Sequence, residues 1–228
     1  LVFSPYTKYN RSESMNRQNK KERVAALHRA NILLAAEKLF SHKGFAATTI
    51  DDISRLSEYS RRTIYAYFDS KENILYHIVL KGLLALEKGL AQAVGSNGGF
   101  LQQYRAICRA MQRYHMDSPH SFSAVESMET STLDIDSMPK VVTDIITAGI
   151  AVNGILAEWI EEGRRDGVVR QDVKTMPTVY VLWSSISSLL NLARSKGSFI
   201  EAELGMTLDE FLEYGFGQVA NSILEVRV

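Results

Sequence analysis

Arg61, Arg62, Thr63, Tyr65 and Tyr67 stand together in the stretch SRRTIYAYFDSK, Ser60 to Lys71. An arginine carries a planar fork of donors that matches the acceptor edge of guanine. A threonine hydroxyl suits a phosphate oxygen, and a tyrosine edge suits a thymine methyl or a phosphate. Ser60 is a helix N-cap residue by type. In the helix it would open, Ile64 and Phe68 lie four apart on one face and serve as core anchors. That leaves the arginines, Thr63 and the tyrosines for other faces, mostly exposed. From chemistry alone two readings stand: a surface that reads DNA, or a solvated charged face with half-buried tyrosines.

The elements that must hold this stretch are helical. Between Asn16 and Ser41, Ile32, Ala35, Ala36, Leu39 and Phe40 recur at helical spacing. Arg17, Lys20, Lys21 and Arg23 crowd the start of that helix, either as a solvated arm or as one reaching phosphates. Gly44 suits its left-handed C-terminal stop. Thr49 is an N-cap for a short second helix, with Asp51 and Asp52 in its first turn where the dipole favours them. Ile53 and Leu56 are expected to face inward. After Leu56-Ser57-Glu58-Tyr59 breaks the pattern, the Ser60 helix runs through Phe68, and a long helix spans about Lys71 to Val94. Three short helices of this kind form the plan of a helix-turn-helix domain.

Helical patterns resume at about 100–116, 119–130, 138–165, 175–196 and 207–226, with VVRQDV (168–173) as a short extended link. No convincing strand pair, internal repeat or low-complexity tract is present, so the fold class is all-α. The 228 residues, 46% hydrophobic, supply a substantial core. The N-terminal stretch through Met15 is set aside as a flexible or non-native segment, residues 1–15. No run of 18 apolar residues marks a membrane span, and no apolar signal region opens the chain. The single cysteine, Cys108, forms no intrachain disulfide and fits a reducing cytoplasm as a small core residue. The net charge is zero, yet residues 1–75 hold 13 Lys+Arg against 8 Asp+Glu while residues 76–228 hold 13 against 18. A basic module attached to an acidic body follows.

Three segments carry a resemblance: ILLAAEKLFSHKGF, ATTIDDIS and SRRTIYAYFDSKENIL. In order and spacing, residues from about 29 to 75 resemble the DNA-binding domain of the tetracycline-repressor-like (TetR/AcrR) transcription regulators. That family writes the last segment as Ser-x-x-Thr-hydrophobic-Tyr-x-Tyr/His-Phe, followed by Lys-Glu and a hydrophobic residue. The resemblance implies residues 16–70 as a helix-turn-helix DNA-binding domain and 71–228 as a larger helical effector-binding and dimerisation domain. It implies that Arg61, Arg62 and Tyr65 face the groove, with Thr63 and Tyr67 at backbone-contact positions beside the Ser60 cap. Thr49 would donate to phosphate, and Lys71 would meet phosphate at the N-terminus of the linking helix. The chain departs from the family in the turn, where Ser57-Glu58-Tyr59-Ser60 stands for the usual Ala-Gly-Val-Ser. Glu58 would then bear roughly 1 kcal/mol of strain in a left-handed conformation.

Toward the C-terminus the chain says less. Val179, Leu182, Trp183, Ile186 and Leu190 share a face, and Ser184, Ser185, Ser187 and Ser188 lie on another. Phe211, Tyr214, Gly215, Gln218, Val219 and Ser222 recur at helical spacing. The resemblance implies a homodimer through a four-helix bundle, placing Ser184, Ser188, Phe211, Tyr214, Gln218, Val219 and Ser222 at the interface; a monomeric core is the alternative. It also implies a pocket for an unidentified small-molecule effector, with Tyr104, Ile107, Met111, His115, Phe122, Met128 and Trp159 as candidates. A Met and aromatic stripe at this spacing equally describes ordinary core. The His115–His120 spacing, broken by Pro119, is poor for a metal, and no cofactor is expected. No nucleophile–base pattern or phosphate-binding loop points to an enzyme. The function implied is a cytoplasmic, sequence-specific DNA-binding regulator of transcription. It is expected to be a repressor released from a palindromic operator by an effector. An adaptor or activator of the same fold without an effector is the alternative.

Overall fold

The computed structural model describes residues 6–119 and 139–225, with side chains from residue 19 onward. Eight helices are found among the described residues: α1 (Tyr6–Lys43), α2 (Ile50–Ser57), α3 (Arg61–Tyr65), α4 (Lys71–Val94), α5 (Phe100–Asp117), α6 (Lys140–Arg165), α7 (Thr175–Leu204) and α8 (Leu208–Asn221). The expected 119–130 helix, His120, Phe122 and Met128 lie outside the described residues. Two compact units are present, and the division falls inside α4 after Ile78 rather than at its start.

The reason for that division is packing. In the first unit Ile32, Ala36 and Phe40 of α1 meet Ile53 of α2, Ile64 and Phe68, and also Ile74 and Ile78 of α4, all at 0–1% exposure. The first turns of α4 therefore complete this core. α1 starts at Tyr6, well ahead of Asn16, so no helix break marks the expected boundary after residue 15. α3 is shorter than expected, ending at Tyr65, and the chain reaches Phe68 through a turn. Leu56 is 48% exposed, against expectation, while Tyr59 packs on the core instead. The physical reason is the end of α2: Glu58 turns the chain at φ 61°, and Tyr59 arrives beside the core.

The second unit is built from α4 beyond Ile78 and from α5 to α8. Tyr104, Ile107, Cys108 and Met111 of α5, Val152, Leu156 and Trp159 of α6, Leu182 and Ile186 of α7, and Phe216 of α8 are all buried. α7 is longer than the expected 175–196 helix and contains a kink, where Lys196 adopts φ −130° and ψ 20°. α8 ends at Asn221; beyond it Leu224 makes an isolated antiparallel bridge to Val169, and this one bridge residue is all the strand character in the 168–173 link, where Gln171 and Asp172 turn the chain. α6 is long and apolar enough, by length and composition, to cross a membrane. Nine of its residues, Val142, Val152 and Trp159 among them, are buried within this unit.

Candidate nucleic-acid interface

The short helix α3 is fixed at both ends by local chemistry. The Ser60 hydroxyl accepts from the Thr63 backbone N–H at 3.1 Å and shares a hydrogen with the Thr63 hydroxyl at 2.8 Å. Ile64 and Phe68, at 0% and 1% exposure, plug the core beneath. With those two inside, Arg61, Arg62 and Tyr65 are exposed and Thr63 is half-buried. Tyr65 leaves 53% of its surface open. These residues therefore form one polar, cationic and aromatic face on a rigid base.

α2 is set by a capping box. Thr49 accepts from the Asp52 N–H at 3.2 Å, while the Thr49 N–H donates to the Asp52 carboxylate at 2.9 Å. The Thr49 hydroxyl also donates to Asp52 at 2.7 Å, so in the free protein it is committed to the cap while remaining at the surface. The hydrogen-bonded Lys43 ammonium, then Thr49, hold the Asp52 carboxyl far below its ordinary value of 3.8. Glu58 is the one non-glycine residue at positive φ among those described, in the position where the sequence pattern anticipated strain.

Several expected DNA contacts have internal partners. Arg61 is paired in two-point fashion with Asp51 of α2, a tie that sequence spacing did not reveal. Tyr67 is half-buried: its hydroxyl lies 3.1 Å from His28 Nδ1, and Arg29 sits 5.3 Å above its ring. Lys71 donates to the carbonyls of Phe45 at 2.8 Å and Thr48 at 2.9 Å, with its ammonium 4.3 Å from the Phe45 ring centroid. It thus clamps the turn that presents Thr49. A lysine ammonium has three donors, so one remains for a phosphate.

In the second unit the expected pocket residues separate. Tyr104, Ile107, Met111 and Trp159 are packed core, at 1–3% exposure. The Tyr104 hydroxyl donates to the Phe216 carbonyl at 2.9 Å, and Trp159 stacks on Phe100 at 4.0 Å. These four do not line the described cavities. His115 differs. It lines a cavity of about 330 Å³ together with Gln112, Met116, Leu190, Arg194 and Leu212, and its Nε2 lies 3.0 Å from the Asn191 side-chain oxygen. Burial pushes the Cys108 thiol up to about 12, which suits an inert core residue. No group of metal-binding side chains occurs among the described residues.

The expected dimer residues lie on α7 and α8, which pack on each other. Ser184, Ser188, Tyr214, Gln218 and Ser222 are exposed, and Phe211 and Val219 are half-buried. Val181, Phe199 and Tyr214, at 56–65% exposure, leave apolar surface open on the same two helices.

Residues 32–78 match the model of the family described as bacterial regulatory proteins, tetR family. The HTH-type transcriptional repressor NicS of Pseudomonas putida is 26% identical over 77% of this chain and 82% of its own length. The HTH-type transcriptional regulator RutR of Escherichia coli is 23% identical over 92% of both chains. Among solved structures, the TetR family regulator PfmR from Thermus thermophilus superposes with a TM-score of 0.64 at 22% identity, covering 83% of this chain and 97% of that one. The matched segment, 32–78, is the core that carries α2 and α3. A capped helix on a core that matches the tetR family model, in a chain aligned almost end to end with curated regulators, leads to one conclusion: residues 32–78 carry a tetR-family DNA-binding segment, and the chain as a whole is similar to HTH-type transcriptional regulators.

Proposed function

We propose that the protein is a homodimeric repressor that binds a palindromic operator and is released by a small-molecule effector. The observation that carries the reading is the α3 face, with Arg61, Arg62 and Tyr65 exposed above buried Ile64 and Phe68. Arg61, Arg62 and Tyr65 read base edges; Thr63, Ser60 and Thr49 position the helix on phosphates; Lys71 offers its remaining donor to the backbone. Tyr67 supports the face from behind through His28. The unpaired apolar surface of α7 and α8 supports the homodimer, and a twofold dimer suits a palindrome with half-sites about one helical turn apart. The cavity at His115, apolar with a few polar groups, supports an effector site. An effector acts here by population shift, through its differential affinity for the state unable to bind DNA. The relatives act in bacterial transcription, and the cytoplasm is where such an operator is met.

The test is Tyr65→Ala. Its ring is half exposed, so the fold and the dimer should survive. Binding to a DNA sequence selected by the wild-type protein from a random pool should be largely lost in a gel shift. Full-strength binding by a dimeric Tyr65→Ala protein contradicts the groove assignment. A wild-type protein that selects no sequence at all favours the adaptor reading without specific regulation.

A further inference from the structure

We propose that Asp51 is a specificity-determining residue, which aims the end of the Arg61 guanidinium at a guanine and keeps that arginine off the phosphates. The inference rests on the groove reading of α3. Asp51 stands in the first turn of α2, and Arg61 opens α3 ten residues later. One carboxylate oxygen takes the Arg61 Nε–H and the other takes an Nη2–H. This side-on pairing uses one edge of the guanidinium. The adjacent end edge, with Nη1–H and the second Nη2–H parallel, is left free, and two parallel donors match guanine O6 and N7.

Folding does not explain the pair. The α2 cap is made by Asp52 with Thr49, without Asp51. Arg61 and Asp51 keep 64% and 45% of their side-chain surface exposed, a setting in which an ion pair adds little to stability. What the pair does is fix a side chain that otherwise samples many rotamers. It also sets a negative charge where α2 approaches the DNA backbone. That charge opposes general binding to phosphates while leaving base readout intact, so discrimination rises as overall affinity falls. Arg62, next along the helix and exposed, has no such restraint and serves as an internal control.

The experiment is selection of bound DNA from a random duplex pool at about 150 mM salt. It uses the full chain as wild type, Arg61→Ala, Asp51→Asn and Asp51→Ser. Sequencing gives the preference at each base position, and titration on unselected pool DNA gives general affinity. In the wild type, one guanine per half-site should be erased by Arg61→Ala. A bidentate arginine contact discriminates by roughly 5- to 150-fold. Both Asp51 variants should cut the preference at that guanine alone by about fivefold or more, with pool affinity equal or higher. The positions read by Arg62 and Tyr65 should not change. An unchanged guanine preference in both Asp51 variants overturns the proposal, as does an equal loss at all positions. Loss of pool affinity in both overturns it too. If Arg61→Ala itself leaves the motif intact, the groove reading of Arg61 fails, a separate outcome from the first.

Discussion

Replacing Lys71 with Met tests whether its ammonium is a clamp in the free protein. Methionine keeps the apolar stem beside Phe45 and removes the charge. Two hydrogen bonds are lost, at 2.8 Å to the Phe45 carbonyl and 2.9 Å to the Thr48 carbonyl, together with the cation over the Phe45 ring. Hydrogen bonds from a charged donor contribute about 1.5–3 kcal/mol each, and an exposed cation–π contact about 0.5–1 kcal/mol. Lys71 is half-buried, so water re-pairs with the freed carbonyls and the net loss falls to about 2 kcal/mol. The turn reports this directly, because the Gly44, Thr48 and Thr49 N–H groups are all hydrogen-bonded, at 3.0, 3.2 and 2.9 Å. A local opening free energy reduced by about 2 kcal/mol means exchange about 30-fold faster at those amides. Hydrogen exchange on the free full-length protein measures it, with the α6 amides as reference. Unchanged exchange at the three turn amides refutes the reasoning. If operator binding then also loses about one unit of its salt-dependence slope, the ammonium belongs on a phosphate instead.

Glu58→Gly should raise stability by about 0.5–1 kcal/mol, because relief of the left-handed cost exceeds glycine's added chain entropy; the urea midpoint reads it, and an unchanged or lower midpoint counts against strain. Gly163→Ala should lower stability by about 1–3 kcal/mol, since a methyl there meets Phe100 Cδ2 and Val169 Cγ2 at 2.7 Å behind the Trp159 stack; calorimetry of the intact chain follows it. Asp52 has a depressed carboxyl, so its contribution is fully present above the ordinary value of 3.8 and is withdrawn as pH falls below it toward the folded value. In Asp52→Asn, stability should therefore depend less steeply on pH below about 4, and an unaltered acid profile by circular dichroism would show the Lys43 and Thr49 contacts to be idle.

Much of the three-helix module was legible in the chain because its signals are local. Caps such as Thr49 and Ser60 act over three residues, and Ile64 with Phe68 follows from helical periodicity alone. Even the strained Glu58 was visible as a missing glycine. The Arg61–Asp51 pair was not legible, because it depends on the angle between α2 and α3, which packing sets. The family resemblance implies a phosphate ligand at Lys71, whereas its two carbonyl partners lie 23 and 26 residues back along the chain. In the second unit, Tyr104, Ile107, Met111 and Trp159 carry the same types and spacing whether they enclose a cavity or fill a core.

By itself, then, the sequence determined the all-helical class, the capped three-helix module and the side chains left outside it. These follow from period, cap and turn chemistry, which operate within a few residues. Only the tertiary structure decided which aromatics are core, that His115 borders a cavity, and which exposed arginine of α3 is held by a carboxylate. Such outcomes depend on distances between segments far apart in the chain, and those distances are fixed by how whole helices pack, not by any short run of residues.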